Sequence, residues 1–161
     1  MKAIGNFFKA ILNFFRKIFL EKWLLRKIGK IIKDVEGDLM DFFLETLLKV
    51  IRIFICIDKK FAKNIQGFNA KYVFKSEDNK IAASAIFANN KMKVKKKAIT
   101  DPDVNITVVF KDSKALFEFL MAEDPDVFAF ILESKISYEG NVNYLMKFAY
   151  MAMHLKLKFS L

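Results

Sequence analysis

Few side chains in this sequence are of the types that do chemistry, and their spacing gives them little to work with. The single histidine, His154, sits near the end of an amphipathic stretch with no cysteine close by in sequence, and reads as a surface or cap residue. The single cysteine, Cys56, lies inside an apolar run and reads as a small buried hydrophobe, not a reactive thiol. One cysteine excludes an internal disulfide and a cysteine-based zinc site. Glu118, Glu123, Asp124 and Asp126 cluster, but at helix boundaries, where carboxylates cap backbone N–H groups. No glycine-rich loop able to cradle a phosphate occurs. The sequence reads as that of a non-enzyme, with no catalytic residue, metal site or cofactor expected.

What the sequence holds in quantity is apolar volume and localised positive charge. Of 161 residues, 54% are hydrophobic and 19 are Phe, while Gly and Pro number only 5 and 2. Such a chain is neither disordered nor a repeat-rich all-β architecture. The net charge is +10, and most of it lies in residues 1–33. There Lys2, Lys9, Arg16, Lys17, Lys22, Arg26, Lys27, Lys30 and Lys33 face one acid, Glu21. A field this local implies an anionic partner for one segment.

The elements that must carry these features follow from periodicity. Over 1–33, apolar residues recur with the helical period, and basic residues take the other face. A helix of this kind lies in a bilayer interface, with Phe7, Phe8, Ile11 and Phe15 on its apolar face and Lys9, Arg16 and Lys17 meeting an anionic membrane surface. The same apolar face would also serve packing onto the rest of the chain, or a homo-dimer through the N-terminal helices. Lysines interrupt every apolar run, so the stretch is neither a signal peptide nor a membrane span.

Residues 38–57 predict a second, more hydrophobic helix, with Asp38 or Asp41 as its cap. Its polar residues Asp41, Glu45, Lys49 and Arg52 form one narrow stripe. Four charges make it a buried helix of a folded body and not a span.

Past residue 67 the pattern alternates. Strands are expected at 70–75, 81–87, 91–96, 104–110 and 135–139. Asn89-Asn90 suits the positive backbone angles of a tight hairpin. The strand Lys91-Met92-Lys93-Val94-Lys95-Lys96 has the lysine-rich outer face of a protected edge. It lacks the interleaved aromatic groups of single-strand binders, so nucleic acid is not an expected partner. A short helix follows Asp112 or Ser113. A second opens at Asp124-Pro125, and an amphipathic helix runs from Val142 to Leu155.

This order of elements resembles the sterol carrier protein type 2 domain over about residues 68–157. The likeness is carried by the strand Asp103-Val104-Asn105-Ile106-Thr107-Val108, the capped helix 112–120 and the proline-started helix. It continues in Tyr138-Glu139-Gly140-Asn141, which leads into a helix with Leu145-Met146-Lys147-Phe148. Lys147 matches a basic residue often found there. The resemblance implies an α+β fold, a twisted five-stranded sheet with helices on one face. Residues 1–63 have no counterpart in the family's minimal module, and their periodicity adds an N-terminal helical hairpin before it. The expected division is 1–63, a basic amphipathic plus a hydrophobic helix, and 64–161, a lipid-binding domain.

The resemblance also implies an apolar cavity for a fatty acid, a sterol-like molecule or another lipid. Met146, Met151 and Met153 would be its adaptable wall. Phe87, Val108, Phe110, Leu116, Phe117, Leu120, Phe128, Ile131, Leu145, Phe148, Ala149 and Ala152 would complete the lining. The function expected is lipid binding or transfer, with membrane docking by the basic helix. The alternative is a non-catalytic, oligomeric interaction protein whose cavity the N-terminal helices fill or cover. The chain ends Phe159-Ser160-Leu161 and not in the peroxisomal address of some relatives. A cytoplasmic protein, peripheral on the inner face of the membrane, is expected.

Overall fold

The computed structural model describes residues 37–122 and 126–159. The basic segment 1–33, with Phe7, Phe8, Lys9, Ile11, Phe15, Arg16 and Lys17, lies outside the described residues, as does the Asp124-Pro125 pair.

Helix α1, Gly37–Ile57, is followed by the short helix α2, Lys59–Ala62, and a 3-10 turn, Lys63–Ile65. The sequence reading assigned no element to 59–65. The Asp58 carboxylate starts α2 by accepting from the Lys60 and Phe61 backbone N–H groups at 2.8 and 2.9 Å. Three strands then form an antiparallel meander: β1 Ala70–Ser76, β2 Ala82–Ala88 and β3 Lys91–Lys95. Asn89 and Asn90 both take positive φ, 52° and 56°, as the expected tight hairpin requires. The remaining elements are β4 Ile106–Phe110, α3 Ser113–Met121, α4 Val127–Leu132, β5 Ile136–Gly140 and α5 Val142–Phe159.

The five strands lie in the order β3-β2-β1-β4-β5. β4 runs parallel to β1 and antiparallel to β5, so the chain must cross from the β3 edge over β2 and β1. That crossover, residues 96–105, takes one face of the sheet. The Ser84 hydroxyl donates to the Lys97 carbonyl at 2.7 Å and accepts from the Ile99 N–H at 3.1 Å. Lys71 reaches Asp101 at 2.7 Å on the same side. The helices are left with the other face, and alternation decides which side chains meet them. Tyr72, Phe74, Ala83, Ala85, Phe87, Met92, Ile106, Val108, Phe110 and Ile136 join one buried cluster with α1, α3, α4 and α5. The α+β architecture with helices over one face is therefore present.

Helix α1 packs on β2 and β3 through residues such as Leu44, Leu48 and Ile51, all fully buried. Its polar stripe is not wholly solvated. Asp41 accepts from the Ala82 N–H at 2.9 Å, docking α1 on β2 instead of capping it. Glu45 is only 4% exposed and lies 2.6 Å from Lys49 and 2.9 Å from Lys96. Burial opposes its ionised form, but hydrogen bonds from the two ammonium groups outweigh burial and hold the carboxyl below the usual range. Cys56 is exposed, against expectation. It falls one helical turn beyond Arg52 and shares that outer face.

The helix boundaries after β4 show the same kind of adjustment. Asp112 caps α3 as expected, accepting from the Ala115 N–H at 2.8 Å. The cap of α4 is Asp126, which accepts from Phe128 and Ala129, two residues beyond the expected Asp124. Among the described residues, no helix is long and apolar enough to cross a membrane.

Candidate functional site

The site is built on two side chains of β1. Alternation puts Tyr72 and Phe74 on the helix-bearing face, where their rings stack 6.1 Å apart at an interplanar angle of 7°. Helix α5 crosses above them. Phe148 meets Phe74 at 4.9 Å and Tyr72 at 5.5 Å between ring centroids. Phe68 fills the flank, 5.5 Å from Phe87 and 5.9 Å from Tyr144, and the Lys147 ammonium stands over its ring at 5.8 Å. The Tyr72 hydroxyl donates to the Tyr144 carbonyl at 2.8 Å. Burial pushes this phenol well above its usual range, so it is a fixed neutral donor that ties strand to helix.

Both ends of α5 are fixed. At its start, Gly140 has φ +109° and packs directly against the Asn105 carbonyl. That carbonyl accepts from the Asn141 N–H at 3.2 Å, and the Asn105 side chain accepts from the Lys71 N–H at 2.7 Å. Near its far end, His154 is a half-buried clip and not a surface residue. Its Nδ1 lies 3.0 Å from the Asn64 side-chain nitrogen, and its ring is 5.2 Å from Phe61.

A second aromatic row runs from β4 into α3 and α4. Phe110 is 6.3 Å from Phe119, which is 5.3 Å from Phe130 in an edge-on contact. Lys135 closes this end, 2.7 Å from Glu133, 2.9 Å from Glu118 and 5.2 Å over the Phe130 ring. Hydrogen bonds to Glu133 and then Glu118 raise its pKa well above the ordinary lysine value. α3 and α4 are thereby held at the edge of the sheet.

The expected lining residues divide into three groups. Phe87, Val108, Phe110, Leu116, Leu145, Phe148 and Met151 are buried together in the layer between sheet and helices. Phe117, Leu120, Ile131, Ala149 and Ala152 are half-buried, whereas Phe128, Met146 and Met153 are exposed. The sequence reading missed Phe68, Tyr72, Phe74, Phe119, Phe130 and Tyr144. Strand alternation through Ala70–Ser76 carried the signal for Tyr72 and Phe74. Phe117, Phe119 and Phe130 all pack half-buried against the cluster, whereas Phe128 faces outward, a difference that periodicity over so short a helix does not fix.

Chemically this layer is aliphatic and aromatic, and the buried Tyr72 hydroxyl already has its partner. Among the described residues, no group of three or more His, Cys, Asp or Glu side chains is placed to hold a metal ion.

No protein-family model and no curated protein matches the sequence. Solved structures do match. A UbiJ-SCP2 ubiquinone synthesis protein superposes with a TM-score of 0.51 at 14% identity, over 71% of this chain and 93% of its own. The apo form of sterol carrier protein 2 from Yarrowia lipolytica matches with a TM-score of 0.47 at 22% identity, over 68% and 86%. The sterol carrier protein domain 2 of Helicoverpa armigera gives 0.44 at 16%, over 66% and 83%. The first of these exceeds residues 68–157 in extent, so the likeness takes in part of the chain before them.

Proposed function

We propose that this chain, folded as sterol carrier protein 2 domains are, binds or transfers a lipid. The fatty acyl or sterol-like part of the ligand lies between the apolar sheet face and α5. The observation that carries the reading is the one-sided apolar layer, with Tyr72, Phe74 and Phe87 below and Phe148 and Met151 above. A flexible Met beside rigid rings repacks around ligands of different shape. Residues 64–161 act as the lipid-binding unit. Within 1–63, the basic segment 1–33 docks on an anionic membrane, and the chain acts at the cytoplasmic surface as a peripheral protein. Binding draws on burial alone and involves no catalytic step. Each methylene of a bound chain contributes about 0.8 kcal/mol.

Native mass spectrometry of gently purified full-length protein tests this. About one lipid per chain is expected, and fatty acids should bind up to about fourfold tighter per added methylene. Protein that is lipid-free and also fails to take up a fluorescent fatty acid overturns the proposal.

The burial of Leu44, Leu48 and Ile51 in the same cluster as Phe87 and Met92 favours a second reading. In it the N-terminal helices cover the layer, and the chain is an oligomeric interaction protein without ligand. Light scattering would then give a defined oligomer, and the mass spectrum no lipid.

A further inference from the structure

Helix α5 is apolar on two faces, and among the described residues only one of them is packed. Leu145, Phe148, Met151 and Leu155 face inward and are buried. Met146, Tyr150, Met153 and Leu157 face outward and are 42%, 57%, 47% and 63% exposed. Their spacing of four, three and four residues aligns them in one stripe about 16 Å long. Packing explains the inner row and gives no reason for the outer one. An ordered apolar stripe left in water marks an interaction surface.

Charge selects the occupant. No carboxylate occurs from Asn141 to Leu161, while Lys147, Lys156 and Lys158 all do. Lys156 and Lys158 bracket Leu157 in the sequence. A helix with basic and no acidic side chains, carrying an apolar stripe with a tyrosine in it, matches a layer of anionic headgroups above acyl chains. We infer that the outer face of α5 is a docking surface for an anionic lipid bilayer, separate from the basic segment 1–33. The inference deepens the lipid-carrier reading, on which it rests for its purpose. The helix that covers the apolar layer would itself lie on the membrane, which places that layer beside the acyl chains.

The test uses the full chain with Cys56→Ser and one new cysteine, carrying a polarity-sensitive nitrobenzoxadiazole label. Tyr150→Cys reports the stripe, and Lys93→Cys reports an exposed position on β3. Vesicles of phosphatidylcholine and phosphatidylglycerol at 7:3 should shift the label at 150 to the blue and brighten it severalfold. The label at 93 should not change. Tyr150→Glu with Leu157→Glu should lower the vesicle-bound fraction at least threefold, with a melting temperature within about 2 °C of wild type because both side chains are exposed. A label at 150 that stays water-like while the protein floats with vesicles overturns the inference. So does a failure to float, or a blue shift without vesicles that grows with protein concentration and reveals a second copy on the stripe. Insertion at 150 by protein that carries no lipid in the mass spectrum supports the docking face and removes the carrier reading.

Discussion

The junction between β5 and α5 gives a sharp test of how this fold positions its helix. Gly140 has φ +109°, and a Cβ there would collide with the Asn105 carbonyl. Gly67 also has positive φ, +66°, but a Cβ there would meet nothing within 4 Å. Replacing each by alanine separates backbone strain from steric overlap. At Gly67 the left-handed conformation costs about 1–2 kcal/mol, partly offset by about 0.4–1 kcal/mol from the stiffer unfolded chain. At Gly140 the strain is about 1–3 kcal/mol. Overlap with backbone adds about 1–3 kcal/mol, and displacing the Asn105 carbonyl weakens its bond from the Asn141 N–H by about 1 kcal/mol. With the same unfolded-chain offset, Gly140→Ala should therefore cost about 2–6 kcal/mol, a large part of the roughly 5–15 kcal/mol of a typical domain. At about 3 °C per kcal/mol for a chain of this size, it should melt roughly 6–18 °C below wild type, and Gly67→Ala roughly 3 °C below. Calorimetry on the two variants and wild type measures both. If they melt within about 3 °C of each other, the Asn105 contact does not hold the start of α5, and the account of how the site is positioned is wrong.

Three further outcomes follow from named contacts. Met151→Ala, at a fully buried position, should cost about 2–5 kcal/mol, and Met146→Ala on the exposed side less than about 0.5 kcal/mol, both read from urea midpoints. Tyr72→Phe removes the bond to the Tyr144 carbonyl and should cost about 0.5–1.5 kcal/mol, visible in the same assay and unchanged between pH 6 and 9 because the phenol stays neutral. Glu45 has a lowered folded pKa, so its contribution is complete above the unfolded glutamate value and disappears as pH falls through the folded one. Glu45→Gln should thus be less stable than wild type by about 1 kcal/mol at pH 7 and equal to it near pH 3; a constant difference would refute the ion pair.

Much of the architecture was legible residue by residue. Alternation at 70–75, 81–87 and 91–96, with Asn89-Asn90 between the last two, is local information, and local sterics settle it. The same holds for Asp112 as a cap. The differences have separate causes. The cap of α4 is Asp126, whose carboxylate meets the Phe128 and Ala129 N–H groups. Cys56 is exposed because it shares the outer face of Arg52. Phe128, Met146 and Met153 are exposed because periodicity marks apolar residues on a helix without fixing which of them the sheet covers.

The sequence by itself determined strand alternation, turn positions, the amphipathic last helix and the concentration of positive charge in residues 1–33. It did so because these depend on side-chain period and backbone preference over a few neighbours. Tertiary structure alone decided which face of the sheet the helices cover, because the 96–105 crossover occupies the other one. It alone decided that Asp41 and Glu45 dock a helix instead of facing water, that His154 clips α5 to the turn at Asn64, and that the described residues leave a second apolar face of α5 exposed. Those outcomes join residues tens of positions apart, and chain crossing and burial set them where no local pattern can.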